Sequence, residues 1–326
     1  MRARSKESTH DGNRSHRAGA SSRGEKLMSI DFTVVVVVFH RVEPLRRLLR
    51  GITVGPRGEQ PRIVVVNLED DGEVRCVAEE FGATVVAAED RGYAAAVNRG
   101  ALEVTDSVTV FASDDVEVDP DSLRALVRTI ADGTTDVAVP QIQNLAGNQE
   151  SSVRALPTPS RLLLEWALTT DRRVAAASRI QKWRRPATIE RVDAFDAALI
   201  AVRTEVLRRH PLPEDYFLYW EELDWCYRLR QAGCRSVLVP SATVRHAGGR
   251  DDVRSDKQRL LARNAVRCVR LTQGRMAALR AWPIVVLWQM RLLVVDSCRA
   301  LARRPHHVAV RLAGVGAAAS AWREIA

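Results

Sequence analysis

The sequence predicts an α/β fold built on a mostly parallel central sheet flanked by helices, with a helical extension at the C-terminal end. Three observations predict it. Phe32–Phe39 holds five consecutive valines, and an unbroken β-branched run suits a strand buried on both faces, as parallel strands are. Short apolar runs alternate with stretches of helical period through the first half of the chain, the pattern of right-handed strand–helix–strand crossovers. One of those runs, Val108–Phe111, breaks into Ser113-Asp114-Asp115. That places two adjacent acids at the carboxyl end of a strand, where open α/β sheets bind ligands.

The elements follow in order. Met1–Lys26 is polar, basic and rich in Ser, Gly and Arg, so residues 1–29 are expected to be a disordered basic tail. This stretch has no apolar core and hence no signal peptide, and Met28 is a second candidate start. After the valine strand, Leu45, Leu48, Leu49 and Ile52 mark a helix by spacing. Ile63–Val66 is a second strand ending at Asn67. Glu73–Phe81 is a helix stopped by Gly82, and Thr84–Ala87 a third strand. Asp90-Arg91-Gly92-Tyr93 is a turn, and Ala94–Leu102 a helix of small residues. Beyond the Asp114-Asp115 strand, Asp119-Pro120 opens a helix through Ser122–Ile130. Asp136–Gln141 and Ala194–Val202 read as strands, and Gln143–Ser160 as a polar loop. Arg161–Ala167 looks helical, and the basic stretch Arg172–Arg185, with Lys182 and Trp183, suits a lid or an acceptor contact. Glu221–Ala232 is a helix stopped by Gly233, Ser236–Val239 a strand leading to His246, and Lys257–Thr272 a helix. The expected division is 30–250 for the sheet domain and 251–326 for the extension.

The 326 residues are 46% hydrophobic and 27% charged, ample for one large domain or two smaller ones. The formal charge is +9, from 49 basic against 40 acidic residues. From Arg254 onward the acids are only Asp256, Asp296 and Glu324 among many arginines. Such an end suits a phosphate-rich partner or an anionic membrane, and equally a solvated surface. No recognised nucleic-acid module is visible, so nucleic acid is not an expected partner. Five cysteines without CxxC spacing argue for reduced thiols in a cytoplasmic protein. Trp282–Val295 is apolar but interrupted by Pro283, Gln289 and Arg291, too short and too broken for a membrane span.

The adjacent acids Asp114-Asp115 repel each other and suit a divalent cation bridging a diphosphate, or, more simply, a turn. Three further signals stand with them: Asp90-Arg91-Gly92-Tyr93-Ala94-Ala95-Ala96-Val97-Asn98-Arg99-Gly100, then Phe217-Leu218-Tyr219-Trp220-Glu221-Glu222-Leu223-Asp224-Trp225, then Val244-Arg245-His246 followed later by Arg263-Asn264. Together these resemble the family 2 inverting glycosyltransferases of the GT-A fold, most of all the bacterial rhamnosyltransferase-like subgroup. The resemblance spans roughly Phe32 to Arg275, and the Glu221-Glu222 segment is its most specific part.

The resemblance implies a nucleotide-sugar donor (dTDP- or UDP-linked), a divalent metal (Mg²⁺ or Mn²⁺), and a glycan or polyprenyl-linked acceptor. It implies Asp115 as metal ligand with Asp114 and His246, and Glu222 as general base beside Glu221. Asp224, two residues on from Glu222, is the third acid of that set and suits a pair with Arg228 at i+4. Phe39, Asn67, Glu69, Asp90, Gly92, Asn98, Asp114 and Arg263 fall in the donor-binding segments, Gly92 letting backbone approach the ligand. Four positions depart from the family pattern: Val38 for Thr, Val66 for Asp, Ser113 for the first acid, and Glu222 for Asp. Glu69, Asp70 or backbone must then contact the base that Val66 cannot. These departures leave room for a catalytically impaired binding or scaffold protein. A sugar nucleotidyltransferase would need a Gly-rich basic loop after the first strand, where His40-Arg41-Val42-Glu43-Pro44 stands. Aromatic, apolar and basic residues mix in Met276–Arg323, which suits peripheral membrane contact, a docked helix or a dimer surface.

Overall fold

The computed structural model describes residues 30–39, 41–54, 60–150, 152–164, 187–247 and 255–325. The basic tail, His40, the last three residues of Arg161–Ala167 and all of Arg172–Arg185 lie outside them.

The first half is regular. Strands β1 (Phe32–Val38), β2 (Arg62–Leu68), β3 (Thr84–Ala88) and β4 (Val108–Ser113) alternate with helices α1 (Val42–Ile52), α2 (Gly72–Glu80) and α3 (Tyr93–Ala101). They pair in parallel in the order β3-β2-β1-β4. The valine run explains why two layers cover this sheet. Val35 and Val37 join one buried cluster with Val66, Val97 and Phe111, whereas Val34, Val36 and Val38 join another with Leu45, Leu48, Leu49 and Leu126. Alternate side chains of a strand point to opposite faces, so both faces need an apolar partner. Against the first face α3 packs closely: a Cβ on Gly100 would lie 2.4 Å from a Val35 methyl and 2.7 Å from one of Val66.

The second half is mixed. After β5 (Val116–Val118) and α4 (Pro120–Ala131) come β6 (Val137–Asn144), β7 (Val153–Arg154) and the short α5 (Pro159–Leu162). Then follow β8 (Glu190–Arg191), β9 (Ala194–Phe195), β10 (Leu199–Arg203), α6 (Thr204–Arg209), α7 (Glu221–Gln231) and β11 (Ser236–His246). The sheet continues β4-β10-β6-β11-β5, with β8 also on β11. β6 and β11 run with β1–β4, while β10, β5 and β8 run against their neighbours.

Three strand expectations change. Ala194–Val202 is not one strand: Ala194–Phe195 pairs with β7 in a separate two-stranded ribbon, and Asp196-Ala197-Ala198 turns the chain into β10. Ser236–Val239 continues to His246, with a register shift between Val239 and Thr243 that accommodates Pro240. The third change follows the acid pair, where a turn was the simpler reading: the chain runs straight on into Val116–Val118, a short edge strand antiparallel to β11.

The C-terminal end folds into α8 (Ser255–Gln273), α9 (Arg275–Leu301) and α10 (Val308–Ser320). Here the expectation of a broken apolar run gives way: α9 is continuous through Pro283, and by length and composition it could cross a membrane. Its Gln289 and Asp296 are nevertheless buried, and Asp296 is held by Arg311 at 2.7 Å and Arg299 at 3.3 Å. Ala262, Val266, Val269, Ile284 and Val285 belong to the same buried cluster as Val35 and Phe111. The extension therefore covers one face of the sheet.

Candidate active site

The carboxyl ends of β1, β4 and β11 meet at one edge of the sheet, and the first acid pair lies there. Asp114 is fully buried. Its carboxylate accepts from the Phe39 N–H at 3.1 Å and from the Arg41 guanidinium at 2.5 Å. Burial, only partly offset by Arg41 and the Phe39 N–H and reinforced by Asp115, pushes Asp114 up to about 6. Asp115 accepts from Ser113 Oγ at 2.6 Å and from Arg41 at 3.2 Å, and His246 Nε2 lies 3.3 Å from its Oδ1. The pairing of β5 with the end of β11 sets His246 opposite Val116, which brings its ring to Asp115. Burial opposes the charge of Asp115, but His246, Ser113 and Arg41 outweigh it and hold the carboxyl well below the usual range. Asp115 in turn outweighs burial at His246 and holds that imidazole above its ordinary value.

Among the described residues no three His, Cys, Asp or Glu side chains gather as a cation site. The chain offers Asp115 and His246, one oxygen and one nitrogen donor side by side. Two protein ligands beside a diphosphate fit Mg²⁺ or Mn²⁺, which fill their remaining positions with phosphate oxygens and water.

The second acid pair opens α7, where Trp225 anchors the helix. Its indole N–H donates to the His210 carbonyl at 2.7 Å, and its ring meets Phe111 and Phe195 edge-on. The two residues before the helix, Tyr219 and Trp220, have φ of 69° and 81°. Consecutive left-handed non-glycine residues are strained and persist only where the surroundings hold them. Asn264 Nδ2 does so, donating to the Leu218 and Tyr219 carbonyls at 3.0 Å each. The strain aims the first turn of α7 inward. Glu221 and Glu222 each have one Oε atom shut off from solvent and without a hydrogen-bond partner. Burial pushes both carboxyls up; their mutual repulsion adds to this at Glu221, and at Glu222 Arg154 opposes it and Asp196 reinforces it. Tyr93, buried on α3, is pushed up first by burial and then by Glu221, Asp115, Asp114 and Glu222, so both acid pairs lie within its electrostatic reach.

Several residues expected to bind the donor make contacts within the scaffold. Asn67 is buried and exchanges hydrogen bonds with the Asp71 backbone, at 2.8 and 3.1 Å. Asn98 clamps the segment after α6 through Leu212 N–H, Leu212 C=O and Glu214. Gly92 is needed by the protein itself: at φ 100° a Cβ would stand 2.1 Å from the Phe217 carbonyl oxygen. Asp90 accepts from the Gly92 N–H at 3.2 Å, capping the same turn. The Phe39 ring packs against the core while its N–H serves Asp114. Val66 is buried against Gly100. Of the acids that could replace it, Asp70 pairs with Arg75, and Glu69 is exposed in a left-handed turn at the carboxyl end of β2. Asp224 is buried and accepts from Tyr216 at 3.0 Å and from Arg228 at 2.8 and 3.0 Å, a structural arrangement. Arg263 donates to Glu324 at 2.5 Å.

A family model described as "Glycosyltransferase like family 2" matches residues 30–269, most of the chain and all of this sheet edge. The chain belongs to that family. Among solved structures it is similar to GalNAc-T7 bound to UDP, GalNAc and Mn²⁺, with TM-score 0.53 and 18% identity over 74% of this chain and 48% of that one. It thus spans about half the length of that neighbour. It is also similar to the mannosyltransferase PcManGT from Pyrobaculum calidifontis in complex with GDP-Man and Mn²⁺, with TM-score 0.51 and 17% identity over 89% of this chain and 86% of that one. None of the curated proteins matches the chain in sequence. The fold is of the GT-A type.

The structure of this glycosyltransferase adds residues that sequence reasoning missed. Arg41 touches both acids of the first pair, and its signal was its place just past β1, the strand beside β4. Arg154 and Asp196 flank Glu222. The signal at Asp196 was an acid in the middle of a run read as one buried strand. A separate cleft of about 750 Å³ lies between α3 and the segment after α6. Its Arg91, Arg99, Arg209 and Arg228 are committed to ion pairs.

Proposed function

We propose that this glycosyltransferase is an inverting, metal-assisted enzyme. It moves a sugar, with rhamnose the first to test, from a dTDP- or UDP-linked donor to a hydroxyl of a cell-surface glycan or polyprenyl-linked acceptor. One observation carries the reading. Two acid pairs lie within electrostatic reach of Tyr93, one saturated with cationic and hydrogen-bonding partners and the other with one shut-off oxygen on each glutamate left unpartnered.

Asp115 and His246 are the residues that would hold the divalent cation, which when bound neutralises charge on the departing diphosphate. Arg41, already at both acids, lies where it can turn to the same phosphates. Glu222 accepts the proton of the acceptor hydroxyl. The new C–O bond forms on the face of the anomeric carbon opposite the diphosphate as the old C–O bond breaks, and the sugar inverts. A carboxyl raised by burial is a stronger base than an exposed one, which suits a hydroxyl of high pKa. Glu69, at the end of β2, is the residue assigned to the nucleobase. The departures at Val66 and Ser113 then cost little: Val66 packs the core, and Ser113 serves Asp115 directly.

The extension suggests where the acceptor is met. Met276, Leu279, Leu287, Met290 and Val294 are exposed and fall on one side of α9 at 3.6 residues per turn, with Arg280 and Arg291 beside them. Gln289 and Asp296 lie on the opposite, buried side. An exposed apolar stripe edged with arginines fits a helix lying in an anionic membrane surface, which supports a proposal that the enzyme works at the cytoplasmic face of the cell membrane. Flotation with anionic liposomes tests this: Leu287→Glu with Met290→Glu should abolish binding, and unchanged binding would remove the proposal.

The function itself is tested by turnover across dTDP-, UDP- and GDP-sugars with and without Mn²⁺ or Mg²⁺. Metal-dependent consumption of one donor, lost in Asp115→Ala and Glu222→Gln, is the expected result. Turnover indifferent to metal and to both substitutions would overturn it.

A further inference from the structure

We infer that the Arg154–Asp196 ion pair is a positioning device for Glu222, set beside the base by the β7–β9 ribbon. The inference rests on the reading of Glu222 as the general base. The ribbon is only two residues deep, pairing Val153 with Phe195 and Arg154 with Ala194. Its apolar members, Val153, Ala194 and Phe195, are buried, and Phe195 meets Trp225 of α7 at 6.0 Å between ring centroids. The ribbon is therefore docked on the helix that carries Glu222. The next residue, Asp196, is fixed by its N–H to the Ser152 carbonyl at 3.1 Å and by Arg154 Nε to its Oδ1 at 2.5 Å.

The topology explains the location. β10 is antiparallel to β4, so its first residue, Leu199, pairs with Ala112 at the sheet edge where Asp114 and Asp115 lie. The Asp196–Ala198 turn consequently enters the site between the two acid pairs. Asp196 acts electrostatically on Glu222 on one side and on His246 on the other.

One oxygen of Glu222 is shut off from solvent without a hydrogen-bond partner, so beyond the Trp220 and Glu222 backbone N–H groups its charge depends on the surrounding charged groups. Among the described residues, the groups coupled electrostatically to Glu222 are Glu221 on its own helix, Tyr93 on α3, Cys226 one turn on, Cys268 on α8, and Arg154 with Asp196 on the ribbon. Among these six, the only cation is Arg154, and Asp196 shares it. The pair lets Arg154 stabilise ionised Glu222 without capturing it in a direct salt bridge, which would leave the carboxylate too weak a base.

The test is a ¹³C-carboxyl NMR titration of the full chain labelled at glutamate, with Glu222 assigned from Glu222→Gln. Arg154→Gln should raise the Glu222 midpoint, because a cation is lost and Asp196 is left unbalanced. Asp196→Asn should lower it, because Arg154 is released toward Glu222. Arg154→Lys should keep the wild-type midpoint and shows that loss in the glutamine variant is not misfolding. With the donor identified above, KM should hold in both neutral variants while the acidic limb of kcat follows the NMR midpoint. In the acidic limb Arg154→Gln should be roughly tenfold slower than wild type. Midpoints that both stay fixed, or that move in the same direction, overturn the inference, as does a raised KM with an unmoved midpoint. The underlying reading fails separately: full transfer by Glu222→Gln would remove Glu222 as base, whatever the titration shows.

Discussion

The two acid pairs of this protein have nearly the same composition and opposite surroundings. Asp114 and Asp115 are buried but surrounded by donors: Phe39 N–H, Ser113 Oγ, Arg41 and His246. Glu221 is buried and Glu222 half-buried, and each has one oxygen shut off from solvent and left without a partner. The first pair keeps at least one firm negative charge, since Asp115 is held well below the usual range. The second pair is pushed up and holds protons more readily. A site that needs a fixed anion to hold a cation, and a separate carboxylate able to take a proton, uses burial in both places and changes only the partners.

The largest effect should come from the second pair. Glu222→Gln keeps shape and removes the base, so transfer should fall about 10²–10⁴-fold with the fold intact. Its stability should show the opposite sign from a damaging mutation. A carboxyl raised in the folded state binds protons there that the unfolded chain does not, so wild-type stability falls as pH rises from the ordinary glutamate value through the raised one. Glu222→Gln removes its share of that loss. Thermal midpoints measured against pH should show the variant at least as stable as wild type at neutral pH, with its advantage vanishing on acidification. A variant less stable than wild type at neutral pH would break the comparison.

Asp115→Asn should be next, with turnover reduced roughly 10²–10³-fold and Mn²⁺ affinity, read by electron paramagnetic resonance, weakened in parallel. Here the stability sign reverses. A carboxyl depressed in the folded state contributes stability that is present above its unfolded value and lost as pH falls through the folded one. The variant should therefore be less stable than wild type at neutral pH, and the gap should close only in strong acid. Unchanged Mn²⁺ binding would leave Asp115 as a structural acid paired with Arg41.

A smaller effect should come from the support of the second pair. Asn264→Ala leaves the Leu218 and Tyr219 carbonyls without their donor and frees a strained turn. It should cost about 1–3 kcal/mol of stability, seen in denaturant unfolding. Turnover should fall because the first turn of α7 loses its aim. Loss of stability with full turnover would show that the left-handed residues at 219 and 220 are held by packing alone.

Much of this was legible in the sequence for definite reasons. The valine run, the helical spacing of Leu45–Ile52 and the glycine stops at Gly82 and Gly233 are local signals, and they placed the parallel half of the sheet almost to the residue. Asp114-Asp115 stood out as adjacent acids at a strand end, and Glu221-Glu222 through the segment that carries the family resemblance. The rest depended on contacts between distant segments. No local pattern shows that Gly92 is required by the Phe217 backbone, that Asn98 closes on Leu212, or that Asn67 is spent on Asp71. The antiparallel β10 was hidden because Ala194–Val202 is apolar throughout except at Asp196, the residue at which the chain changes sheets.

The smallest effect concerns the Arg263-Asn264 pair, where adjacent residues divide between the two kinds of work. Successive positions on a helix point about 100° apart, so Asn264 turns to the strained loop while Arg263 turns to Glu324 at the C-terminal end. Glu324 is also held by Arg267 at 2.7 Å, so it keeps a partner when Arg263 is removed. Arg263 is half exposed, and such pairs contribute no more than about 1 kcal/mol. Arg263→Ala should accordingly leave donor affinity unchanged by calorimetry and shift stability only slightly. A clear loss of donor affinity would mean that the side chain leaves Glu324 for the phosphates when donor binds, and would extend the cation-holding region from the sheet edge to the helical extension.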